Sequence, residues 1–240
     1  MAEKIVVASG KGGVGKSTCA AGVAIALGET GKRVLMLDFD IGLGSLDVIF
    51  SVREKVVNNW GDIVLERCEK DDALIECGKI KLLPAPTNFD DAFTKENVAK
   101  MLAEFDDDYD YIILDAPAGI GKYFSLACEC SDRGIVVSNP EDVCVRSAGV
   151  AADRMRETGI SDVRLIINKL VKKFSVKKKN LNIDSVIDET SVRLIGVVPF
   201  DEDIGLISME NNLFRIKSKP QRSFERIARR VCGEDIQIKI

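Results

Sequence analysis

Four apolar residues, Ile5-Val6-Val7-Ala8, lead through Ser9 into Gly10-Lys11-Gly12-Gly13-Val14-Gly15-Lys16-Ser17, and an alanine-rich stretch follows at once. Few local patterns constrain a fold so tightly. The residues fit G-x-x-x-x-G-K-[ST], and the motif has meaning only between a strand and the start of a helix, where it stands here. Glycines let successive backbone N–H groups turn inward, forming a concave anion site at the positive end of the helix. Lys16 is then placed to reach terminal phosphates and the Ser17 hydroxyl to ligate Mg²⁺. Gly12, Gly13, Val14, Gly15 and Thr18 complete the candidate phosphate-binding set.

The remainder of the chain repeats this strand-then-helix rhythm. Short β-branched runs stand at Val34–Leu37, Ile80–Leu83, Tyr111–Leu114, Gly134–Val137, Val163–Ile167 and Leu194–Val198. They are apolar at successive positions, as parallel strands covered on both faces must be. A helix is expected over residues 17–28, closing at Gly28 and Gly31, and another over 95–105, where Val98, Met101, Leu102 and Phe105 share a face. Alternation of this kind predicts an α/β fold with a doubly wound, mostly parallel sheet and helices on both faces. With no repeat, linker or low-complexity segment in its 240 residues, the chain reads as one domain, 1–240.

Composition removes several chemistries. The chain has no histidine, which excludes Ser-His-Asp and Cys-His nucleophiles and His-containing zinc sites. Its seven cysteines form no Cys-x-x-Cys, and Cys128 and Cys130 read as small buried hydrophobes, so a reduced cytoplasmic setting is expected. There is no secretory signal pattern, and no apolar run approaches the roughly 18 residues of a membrane span. A net charge of −4 does not favour constitutive nucleic-acid binding. The lysines at 172–173 and 177–179, and Asp106-Asp107-Asp108 with Asp110, read as solvated loops or faces.

Three carboxylates stand where a ligand crevice belongs. Asp38 and Asp115 end apolar runs, and Asp40 lies just beyond the first. In a doubly wound sheet the carboxyl ends of the strands converge on the phosphate loop. Each alone could be a strand-end or cap residue. Asn168 ends another run and carries an amide suited to a base edge or to a turn.

Lys11, which the basic motif does not require, could be a solvent-facing loop lysine. Together with Gly-Gly-Val-Gly-Lys16-Ser17-Thr18, however, it makes the deviant signature of the MinD/ParA family of P-loop ATPases, which the chain resembles from about residue 4 to 233. Asp38–Asp47 resembles that family's first switch segment and Asp115–Ile120 its second. Asn139-Pro140-Glu141 with Val145-Arg146 and Val197-Val198-Pro199 also agree, and the likeness is nearer to the MinD branch, which usually has Asp at the position of Ser147.

The resemblance implies the P-loop NTPase fold and Mg²⁺-dependent hydrolysis of ATP to ADP and phosphate. It also implies a homodimer sandwiching ATP and a protein activator of hydrolysis. It assigns Lys11 to the partner protomer's ATP, Asp40 to the attacking water, and Asp38 and Asp115 to the magnesium that Ser17 also ligates. From their places after strands, Asn168, Pro199 and Asp201 are the candidates for the base pocket. The expected role is spatial positioning, first of the division septum. Flagellar-number regulators, DNA-bound partitioning ATPases and metal-cluster carriers of the same lineage are the alternatives. Phe224, Ile227, Ala228 and Val231 are spaced for a helix that packs on the domain, with Arg222, Arg226, Arg229 and Arg230 outward. The seven residues after Gly233 alternate like a strand and are too short for the branch's amphipathic membrane helix. Membrane association is therefore expected only through a partner or a further tail.

Overall fold

The computed structural model describes residues 1–171, 183–201 and 218–238. Through them runs one eight-stranded sheet, built from β1 (Glu3–Ala8), β2 (Val34–Asp38), β3 (Ile75–Cys77), β4 (Ile80–Leu83), β5 (Tyr111–Asp115), β6 (Arg133–Ser138), β7 (Asp162–Leu170) and β8 (Arg193–Pro199). The order is β3-β4-β2-β5-β1-β6-β7-β8, with every pair parallel except β3 and β4. The expected strands are all present. β3 is an addition: three residues with one exposed face, too short to register as a periodic run.

Both faces are dry because the side chains sort by parity. Val6, Leu35, Leu37, Ile112, Leu114, Leu165 and Ile167 point into one core. Ile5, Val7, Val34, Met36, Ile113 and Ile166 point into the other. Over the second face lie α1 (Lys16–Glu29) and α2 (Leu46–Ile49), with the last described helix, α8 (Lys219–Val231). Over the first lie α3 (Trp60–Val64), α4 (Lys95–Ala103), α5 (Lys122–Glu129), α6 (Asp142–Glu157) and α7 (Ile183–Thr190).

Helix α1 is buried along most of its length, which its alanines permit. It passes through Gly28, where it was expected to close, and Gly31 takes the left-handed conformation (φ +86°) that follows its end. Helix α4 starts at a Thr94 cap whose Oγ1 accepts from the Asn97 N–H at 3.3 Å.

Two surface expectations change. The aspartates at 106–110 are not merely solvated, because Asp106 pairs with Lys4 at 2.5 Å, Asp108 with Lys70 at 2.6 Å and Asp110 with Arg33 at 2.9 Å. Residues 234–238 make no strand; Arg230, turned inward from the basic face, donates to the carbonyls of Ile236 at 2.9 Å and Gln237 at 2.8 Å. The lysines at 172–173 and 177–179 lie outside the described residues.

Candidate functional site

The phosphate loop leaves β1 in the middle of the sheet, between β5 and β6, where the carboxyl ends of the strands open a crevice. Gly15 caps α1 in the left-handed conformation (φ +86°), a backbone state that costs L-residues other than glycine. Gly10 is required for a different reason. A Cβ there would lie 2.0 Å from the Ser147 carbonyl oxygen, so only glycine lets the loop pass under α6. Ser9 Oγ donates to the Lys11 carbonyl at 3.0 Å, while the Lys11 side chain is exposed.

Lys16 opens α1 and points inward. Its Nζ donates to Asp115 Oδ1 at 2.6 Å and to Ser17 Oγ at 3.1 Å. Asp115 ends β5, directly across the ladder from Asp38 at the end of β2. Burial pushes the Asp115 carboxyl up to about 6; Lys16 opposes that rise and Asp38 adds to it. Asp115 Oδ2 is buried with no hydrogen-bond partner. Ser45 Oγ donates to Ser17 Oγ at 3.1 Å, joining the loop after β2 to the start of α1.

Asp38 is also buried, and its oxygens are engaged by main chain. Oδ1 accepts from the Asp40 N–H at 3.0 Å, and Oδ2 from those of Ser45 at 2.8 Å and Leu46 at 2.9 Å. The Asp38 carbonyl accepts from Trp60 Nε1 at 2.8 Å, and Phe39 stacks on the same indole with centroids 5.0 Å apart. Asp40 is half-buried, and desolvation raises its carboxyl pKa against the pull of Lys16. It lines a groove of about 450 Å³ with Pro117 and Ala118 of the other expected switch segment.

This donor set suits a hard divalent cation bound together with phosphates. Among the described residues no cluster of three acidic, Cys or His side chains forms a metal cage. Mg²⁺ in phosphate sites uses one or two carboxylates plus substrate oxygens and water, so it needs none. The Ser17 hydroxyl and the unpartnered Asp115 Oδ2 are the groups that fit it.

Asn168 is tied to the phosphate loop. Strand β7 continues through it to Leu170 across a break in register, and the Asn168 Nδ2 donates to the Val14 carbonyl at 2.8 Å. Lys169, to which the sequence assigned no role, donates from Nζ to the Gly13 carbonyl at 2.9 Å. Pro199 ends β8 opposite Leu170, so it shares this edge, with Asp201 two residues beyond. Ser45 was likewise unassigned. Its position just before α2 is a cap position, yet the side chain makes no cap bond and reaches Ser17 instead.

Comparison with known proteins agrees with this geometry. The ParA family model, described as NUBPL iron-transfer P-loop NTPase, matches residues 1–232. The septum site-determining protein MinD of Bacillus subtilis is 33% identical over 248 residues, which cover 100% of this chain and 92% of that protein. A chain of the MinC:MinD cell division protein complex of Aquifex aeolicus superposes with a TM-score of 0.90 at 31% identity, covering 100% of this chain and 99% of that one. The MinD of Pyrococcus horikoshii, complexed with Mg-ADP, shares the fold at 24% identity, with a TM-score of 0.83 and 96% of each chain covered. By these matches, nearly end to end, the chain belongs to the MinD/ParA family of P-loop ATPases.

Proposed function

We propose that this chain is a Mg²⁺-dependent ATPase whose two protomers close face to face on ATP, and that the ATP-bound dimer positions another structure, the division septum first among them. One observation carries the reading: Lys16, Ser17, Ser45, Asp38 and Asp115 converge at the carboxyl ends of β1, β2 and β5 directly behind a phosphate loop. The names of the septum site-determining relatives supply the process.

The residues divide the work as follows. Loop amides from Gly12 to Thr18 and the Lys16 ammonium hold the phosphates, so Lys16 must exchange Asp115 for phosphate oxygen. Ser17, Asp38 and Asp115 would hold magnesium, and Asp38 also organises the loop beyond β2. Magnesium, when bound, neutralises charge on the phosphate oxygens. Asp40 holds the attacking water in line. Lys11, exposed at the mouth of the loop, reaches the ATP of the other protomer. Asn168, Pro199 and Asp201 lie toward the base. A second protein stimulates hydrolysis and dissolves the dimer; a relative's assembly with MinC in a cell division protein complex supports a protein partner.

Iron transfer, named in the family description, finds little support in the thiols. Cys128 and Cys130 are buried, and burial pushes them up to about 12 and about 11. Light scattering tests the proposal: ATP with Mg²⁺, and not ADP, should double the mass, and Lys11→Ala should stay monomeric with its fold intact. An ATP-dependent dimer in Lys11→Ala would overturn the assignment.

A further inference from the structure

We propose that Lys169, with Asn168, is a positioning residue that braces the phosphate loop from behind and presets its amides for phosphate. This deepens the ATP-binding reading above and rests on it.

The two residues lie in β7 where the ladder to β8 breaks register between Ile167 and Leu170. Lys169 is held in the left-handed region, φ +54°, unusual for a residue with a side chain. That backbone state goes with a side chain that reaches across 156 residues of sequence to the loop. Lys169 Nζ meets the Gly13 carbonyl at 2.9 Å, and Asn168 Nδ2 meets the Val14 carbonyl at 2.8 Å.

Both contacts are to consecutive peptide oxygens, and this is the informative point. In a planar trans peptide the C=O and the following N–H point in opposite directions. Fastening the Gly13 oxygen to Lys169 turns the Val14 N–H away from β7. Fastening the Val14 oxygen to Asn168 does the same for the Gly15 N–H. Two amides of the anion cradle are thereby oriented before phosphate arrives, lowering the ordering cost of binding. The approach is close enough to involve Gly15: a Cβ there would lie 2.3 Å from Asn168 Nδ2. The two brace contacts are thus addressed to the phosphates, and the base role of Asn168 is separate from them.

A ligand without a base separates this role from base recognition. The full-length chain is titrated calorimetrically with Mg²⁺ and inorganic triphosphate, and in parallel with Mg²⁺ and ATP. Lys169→Met should weaken both by a similar factor, about fivefold, the scale of one net hydrogen bond. Lys169→Arg, which keeps a donor, should recover most of the loss. Lys169→Gly should lose affinity equally while its melting temperature holds or rises, because glycine relieves the left-handed backbone. That divergence would not arise from general destabilisation. Unchanged triphosphate affinity in Lys169→Met, or loss confined to ATP, would overturn the brace. Failure of the wild-type chain to bind either ligand would instead remove the ATP reading beneath it.

Discussion

Lys16 Nζ lies 2.6 Å from Asp115 Oδ1, and the two side chains are 7% and 0% exposed. The lysine that should grip phosphate is thus held by a carboxylate one layer deeper. A buried pair of this kind costs most when one partner is deleted and the other keeps its charge.

The two deletions should therefore differ. Asp115→Ala strands a buried ammonium and should lower the stability of nucleotide-free protein by about 3 kcal/mol or more. Lys16→Met strands a carboxyl that burial already pushes up to about 6, and loss of Lys16 pushes it higher. A carboxyl whose folded pKa exceeds its unfolded value contributes stability below the unfolded value and loses it as pH rises through the folded one. Lys16→Met should thus be nearly as stable as wild type at pH 5.5 and clearly weaker at pH 8. Thermal melts in EDTA without nucleotide check this, and an equal deficit at both pH values would contradict it.

Asp38 organises the first switch segment through main-chain bonds from Asp40, Ser45 and Leu46. Asp38→Ala leaves three donors to find other partners, at about 1–3 kcal/mol for each that stays buried and unpaired. The segment from 40 to 48 should become the first site of limited proteolysis. Trp60, the only tryptophan, donates to the Asp38 carbonyl, so its emission should shift in the same variant. Wild-type cleavage kinetics would show that the loop is held by something else.

These contacts mark the boundary of what the sequence discloses. The parallel strands were readable because burial on both faces leaves continuous apolar runs, and the phosphate loop because its glycines and lysine are consecutive. Strand β3 escaped notice because three residues with one exposed face carry no periodicity. The Lys169–Gly13 and Ser45–Ser17 contacts span 156 and 28 residues, and only the register of the sheet brings their ends together. Asn168 was legible as a polar strand-end residue; its Val14 partner was not. Gly10 reads as part of a motif, whereas its need for glycine comes from Ser147 on a distant helix.

The cysteines offer an independent check on burial. Cys19 and Cys128 are each pushed up to about 12, chiefly by desolvation. Only the thiolate reacts, and at pH 8 a thiol of that pKa is ionised to roughly 10⁻⁴. Native protein treated with Ellman's reagent should leave Cys19, Cys128 and Cys130 unmodified, and guanidinium should release them. Rapid native labelling of Cys128 and Cys130 together, located by peptide mass, would return the cluster-carrier reading to consideration.

Asp40 is the sharpest test of how the carboxylates share the chemistry. Its backbone does the structural work: the N–H donates to Asp38 Oδ1, and the carbonyl accepts from the N–H groups of Leu43 at 3.3 Å and Gly44 at 2.9 Å. None of these bonds uses the side chain, so Asp40→Ala should leave the segment in place. Phosphate grip rests on Lys16 and the loop amides, so nucleotide affinity and ATP-dependent dimerisation should survive. Phosphoryl transfer asks the protein mainly to place the water and neutralise charge. Single-turnover hydrolysis in Asp40→Ala should fall by roughly 10² or more, the scale of a positioned acid–base group. Ser17→Ala, by contrast, should first weaken Mg²⁺-ATP binding. The same two assays on both variants decide between roles: wild-type turnover in Asp40→Ala would dismiss it from the reaction, and parallel loss of binding and turnover would move it to the magnesium shell.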